Sequence, residues 1–119
     1  MNWYLTKIVF RIICGDGNHT AQFDEQLRLI YADNKEEAFV KSKQLGKNEE
    51  EIFLNTKQQP VQWKFINVSE IYKLGDMIDG AELYSRIDER DDAENYINLV
   101  NKKAESIIHS ESYELLQLV

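Results

Sequence analysis

The sequence predicts an α+β fold, a four-stranded and mainly antiparallel sheet built in the order ββαββα, with its two main helices on one face. Three observations point there. The chain opens on an apolar run from Trp3 to Cys14, the apolar period lengthens from two to between three and four after Asp33, and it lengthens again after Asp91. At 119 residues the chain has the size of a single domain, residues 1–119, able to bury about two thirds of its unfolded surface.

In the opening strand Tyr4, Ile8, Phe10 and Ile12 share one face, while Trp3, Leu5, Val9 and Ile13 share the other, which Lys7 and Arg11 interrupt. A strand that is apolar on both faces belongs in the middle of a sheet. The run Gly15-Asp16-Gly17-Asn18-His19-Thr20 is a cluster of turn formers and predicts the tip of a hairpin. The returning strand, Phe23 to Tyr31, places Phe23, Leu27, Leu29 and Tyr31 on one side and Asp24, Gln26 and Arg28 on the other. Glu25 falls among the apolar group, so regular pairing is expected from Gln26 onward.

Asn34 with Glu37 forms a capping box, with Asp33 and Glu36 as a second frame, and starts a helix through Ala38, Phe39, Ser42 and Leu45. Gly46 is the expected C′ residue. Asn48 to Glu51 predicts a further short helical turn, packed down by Ile52, Phe53 and Leu54, and Pro60 ends the connection. Val61, Trp63 and Phe65 form one face of a third strand, whose phase slips near Ile66 to Val68, as a bulge would cause, so that Val68, Tyr72 and Leu74 change parity. Asp79-Gly80 turns into a fourth strand, Ala81 to Ile87. The last helix starts at Asp91-Asp92 and carries Ala93, Ile97, Val100, Ala104, Ile107 and Ile108 as a core-facing stripe. The apolar tail, Tyr113 to Val119, is expected to dock on the sheet or on a partner. With the first helix as a right-handed crossover, the spatial order becomes 2-1-3-4.

Composition removes several function classes. The formal charge of −7 opposes nonspecific binding of nucleic acid, which needs clustered Lys and Arg, and suits a basic protein partner. No run approaches the roughly 20 apolar residues that cross a bilayer, and no signal peptide is expected. The lone cysteine, Cys14, forms no intramolecular disulfide, which favours a reducing, cytoplasmic setting.

Several segments look familiar in their order and spacing: Trp3-Tyr4, Glu36-Glu37-Ala38, Leu45-Gly46, Val61-Gln62-Trp63-Lys64-Phe65, and Asp79-Gly80-Ala81-Glu82-Leu83-Tyr84-Ser85-Arg86. Across residues 2–87 the chain resembles the bacterial domain-of-unknown-function family DUF4288, with the Gly15 to Thr20 loop and residues 88–119 as additions. The resemblance implies a small intracellular bacterial domain, without an assigned activity and without catalytic residues to carry over.

The candidate ligand residues are Asp16, His19, Asp24 and Glu25, since carboxylates and an imidazole suit a divalent metal. The competing reading is a plain hairpin tip. Asp16-Gly17-Asn18 also matches part of a calcium loop, but the later ligands and the terminal Glu are missing. Cys14 reads as buried packing, and no base, orienting group and oxyanion hole accompany it, so no catalytic residue is assigned. No cofactor is expected. These readings lead to a non-catalytic interaction or scaffold module, a homodimer joined through Trp3, Leu5, Lys7, Val9 and Arg11 together with Leu115, Leu116 and Leu118 of the tail. The alternatives are a small-ligand or metal-binding protein and an acidic inhibitor of a basic partner.

Overall fold

A computed structural model describes residues 1–109. Its elements are β1 (Asn2–Cys14), β2 (Gln22–Ala32), α1 (Lys35–Asn48), β3 (Glu51–Leu54), β4 (Pro60–Lys73) and α2 (Ala93–His109). The chain divides into two compact units, Met1–Ser85 and the part from Arg86 onward. The first contains a four-stranded antiparallel sheet in the order β2-β1-β4-β3.

The opening strand is central, as its two apolar faces require. It pairs with β2 from Asn2↔Ala32 to Ile12↔Gln22 and with β4 from Tyr4↔Lys73 to Cys14↔Val61. Since both neighbours are antiparallel to β1, β2 and β4 run parallel to each other. Tyr4, Ile8 and Phe10 point to the helix side, where they pack with Ile30, Ala32, Phe65 and, from α1, Ala38 and Leu45. Complete burial of Ile8 and Phe10 contributes about 1.5–3 kcal/mol each.

The start of α1 is fixed by side chains. Asn34 Oδ1 accepts from the Glu37 N–H at 2.8 Å, and Glu37 Oε2 accepts from the Asp33 N–H at 3.0 Å. That backbone hydrogen bond, aided by Lys41, holds the Glu37 carboxyl below the usual carboxylate range. At the other end α1 runs through Gly46 to Asn48 and is capped at Glu49, so Gly46 is not the C′ residue. It serves close packing: a Cβ there would lie 2.3 Å from the Phe65 ring.

Four other expectations are corrected. No second helical turn forms over Asn48 to Glu51: α1 ends at Asn48, and Glu51 opens the edge strand β3, whose Ile52, Phe53 and Leu54 had been expected to pack that turn down, because Asn55 folds the chain back. Its Oδ1 accepts from the N–H groups of Lys57 and Gln59, which closes a hairpin onto Pro60–Trp63. Ala81 to Ile87 forms no strand, so β3 takes the edge beyond β4 that had been assigned to it. Pairing of β2 starts at Gln22, before Glu25, which sits opposite Val9. In β4 the register shifts twice, passing over Ile66 and then Ser69. The first shift is the expected bulge and keeps Val68 on the core side. The second returns Tyr72 to the opposite face, across from Leu5.

In the second unit, Asp92 Oδ1 accepts from the Asn95 N–H at 3.0 Å and starts α2. No residue of α2 is buried, so its apolar stripe is not core-facing as expected. Among the described residues no helix is long and apolar enough to cross a membrane.

Candidate functional site

Register settles which side chains share the face of the sheet away from α1. Trp3, Leu5, Lys7, Val9 and Arg11 of β1 stand beside Tyr31, Leu29, Leu27, Glu25 and Phe23 of β2. Phe23, Leu27, Leu29, Tyr31 and Trp3 are all exposed, between 40% and 56%. Trp3 and Tyr31 form a tilted pair with ring centroids 4.7 Å apart. The polar row of β2, Asp24, Gln26 and Arg28, lies on the helix side and is half-buried. There Asp24 Oδ2 accepts from Gln26 Nε2 at 2.6 Å and Trp63 Nε1 at 3.3 Å, and Arg28 pairs with Glu49 at 2.6 Å. The alternation in β2 thus turns its apolar row outward.

The residues expected at the interface have different surroundings. Leu5 is already buried, 6% exposed, as is Leu74, 7% exposed, whose N–H donates to the Trp3 carbonyl. Lys7 Nζ meets Glu70 Oε2 at 2.6 Å, and Tyr72 Oη donates to the other oxygen of that carboxylate. The Glu70 hydrogen bond raises the Lys7 ammonium above its ordinary value and pushes the Tyr72 phenol up to about 12. Tyr84 packs edge-on against Tyr72 at 5.2 Å. Arg11 stands opposite Lys64 and Phe23, and its buried Nε has no hydrogen-bond partner among the described residues. Leu115, Leu116 and Leu118 lie outside the described residues.

The four candidate ligand residues do not converge. Asp16 Oδ1 accepts from the Asn18 N–H at 2.9 Å, and Gly17 takes φ 81°. His19 Nε2 accepts from the Cys14 N–H at 3.0 Å, which leaves Nδ1 as the protonated nitrogen, donating to the Thr20 carbonyl at 2.8 Å. Both ring nitrogens are therefore occupied in holding the loop. Asp24 and Glu25 point to opposite faces of β2, Asp24 to Trp63 and Glu25 to the open face. Among the described residues no cluster of three His, Cys, Asp or Glu is placed to hold a metal.

The family description "Domain of unknown function (DUF4288)" matches residues 3–85, the stretch that builds α1 and all of the sheet but Asn2. The chain belongs to the DUF4288 family. No curated protein and no solved structure matches it. The DUF4288 match ends where the first compact unit ends, at Ser85, so α2 lies beyond the family region. The exposed apolar row of β2 lies inside that region. Periodicity reveals this row but not its face; counting pairs back from the hairpin tip supplies the missing information, since Ile12↔Gln22 fixes every later pair.

Proposed function

We propose that this DUF4288 protein is a non-catalytic interaction module that works as a homodimer in a reducing, cytoplasmic setting. The observation that carries the reading is the row of Phe23, Leu27, Leu29 and Tyr31, joined by Trp3, exposed along one face of the sheet. Contiguous exposed apolar surface marks an interaction site, and a self-complementary two-fold contact is the commonest way to cover one. The single free thiol, Cys14, supports the reducing setting.

Native mass spectrometry tests the dimer directly. The untagged protein is expected at twice the 14.0 kDa of one chain. Leu27→Asp should give the single-chain mass while leaving the unfolding midpoint nearly unchanged, because Leu27 is 55% exposed in one chain. Wild-type protein that remains at the single-chain mass at all working concentrations overturns the proposal.

A further inference from the structure

β2 is an edge strand: among the described residues it pairs only with β1, and its eleven residues contain no proline, glycine or bulge. Long regular edges of this kind template pairing with another strand. Which of its backbone groups are open follows from one hydrogen bond. The Trp3 carbonyl accepts from the Leu74 N–H at 2.9 Å, so the backbone of Trp3 is turned toward β4. Its partner Tyr31 therefore forms a non-hydrogen-bonded pair with it, and the N–H and C=O of Tyr31 face away from the sheet. With no shift in the β1–β2 register, the same holds at every second residue: Leu29, Leu27, Glu25 and Phe23. At Tyr31 the open carbonyl is taken by Lys41 Nζ at 2.6 Å. The stretch left for pairing runs from Phe23 to Leu29, and its midpoint is Gln26.

From this geometry we infer that two copies join their β2 edges antiparallel about a two-fold axis at Gln26, making one continuous eight-stranded sheet. The inference rests on the homodimer reading above and specifies its interface. A two-fold at Gln26 pairs Phe23 with Leu29 and Glu25 with Leu27 of the second copy, in both directions. The N–H and C=O of all four residues are then satisfied, with none left over. The same operation sets Asp24 of each copy opposite Arg28 of the other, so the helix-side row is complementary in charge to itself. Moving the axis to Arg28 would oppose two guanidinium groups. On the open face, the exposed rows of the two strands come side by side and shield one another.

Cysteine cross-linking reads this register. In a Cys14→Ser background, Gln26→Cys faces its own copy across a non-hydrogen-bonded pair, within the Cα range that a disulfide accepts. Mild oxidation is expected to convert it to a covalent dimer, while Lys64→Cys, on β4, stays uncrosslinked. A charge exchange gives an independent check that does not rely on a thiol. Arg28→Asp should weaken dimerisation by at least about tenfold, and Asp24→Arg combined with Arg28→Asp should recover it. A dimer by mass that cross-links at Lys64→Cys but not at Gln26→Cys overturns edge pairing and leaves the homodimer standing. A wild-type protein without a dimer removes both.

Discussion

Alanine at position 46 should destabilise this protein, although glycine to alanine in a helix ordinarily stabilises it. In an open helix interior the change gains about 1 kcal/mol. Here the new Cβ would lie 2.3 Å from Cδ1 and Cε1 of Phe65 and 2.9 Å from Cγ. Carbon atoms rest at about 3.5–4.0 Å, so the ring or the helix must move by more than about 1 Å. Phe65 is only 7% exposed, and it packs edge-on, with centroids 5.9 Å apart, against Phe10, which is 1% exposed, so the ring has no open side to enter. Overpacking costs about 1–3 kcal/mol, and the upper part of that range applies to a contact this short. Subtracting the helix gain leaves a net loss of about 2 kcal/mol, or a fall in Tm of roughly 8–16 °C for a unit of this size. Both tryptophans, Trp3 and Trp63, lie within Met1–Ser85, so a urea melt followed by their fluorescence reports the unit that contains Gly46. Gly75→Ala, with nothing within 4 Å of its Cβ, is the matched control. Adding Phe65→Leu to Gly46→Ala should make the combined loss smaller than the sum of the two single losses. An increase in stability for Gly46→Ala alone would refute the close approach of α1 to the sheet.

Thr6 is fully buried and its hydroxyl has no hydrogen-bond partner among the described residues; Thr6→Val should therefore raise stability by about 1 kcal/mol in the same melt, and a loss would show that the hydroxyl is satisfied. The Tyr72 phenol, raised to about 12 chiefly by its hydrogen bond to Glu70, should give a late phase near pH of about 12 in an ultraviolet titration. The folded state holds this proton more tightly than the unfolded state, so the contribution is complete below pH of about 10 and is lost as pH rises toward about 12. Tyr72→Phe should delete that late phase, and an unchanged titration would contradict the assignment. His19→Ala removes the acceptor of the Cys14 N–H and the donor to Thr20; amide exchange at Cys14 should accelerate while stability falls by only about 0.5–1.5 kcal/mol. Unaltered exchange would mean that the turn residues alone shape the loop.

Much of the sheet was legible because its signals are local. The two apolar faces of β1 place it centrally, the Asn34 and Glu37 pair marks the start of α1, and the parity slip after Phe65 marks a bulge. What stayed hidden depends on partners distant in sequence. Leu45-Gly46 looks like a helix end, but the glycine is there for the Phe65 ring, nineteen positions further along. Ile52 to Leu54 suits a helix or a strand, and the choice is made by the Asn55 turn that brings it against Pro60–Trp63. Ala81 to Ile87 alternates like a strand, yet the sheet edge it would occupy is held by β3. For the candidate ligand residues, adjacency in sequence was misleading: Asp24 and Glu25 are neighbours, and the pleat sends them to opposite faces.

The orientation of β2 follows from how far one helix can reach. With fourteen residues, α1 is about 21 Å long, whereas the eleven residues of β2 span about 37 Å. The helix covers the end of β2 that carries Ile30 and Ala32, both buried, and does not extend along the whole strand. Side chains from Asp24 to Arg28 on that side must therefore remain partly wet, and the sequence supplies a polar row there, tied down by Trp63 and Glu49. Alternation then forces the apolar residues of the same stretch onto the face away from α1. Leu27, Leu29 and Phe23 are each about half exposed, and edge pairing covers the flank that meets the second copy's row, a gain of under about 1 kcal/mol per side chain. A two-fold contact counts every such gain twice and also satisfies the open backbone edge. Because these side chains contribute little to the core of one chain, substituting them should dissolve the proposed dimer without unfolding the single chain. The residues that hold the fold and the residues proposed to hold the assembly are thus separable along a single strand.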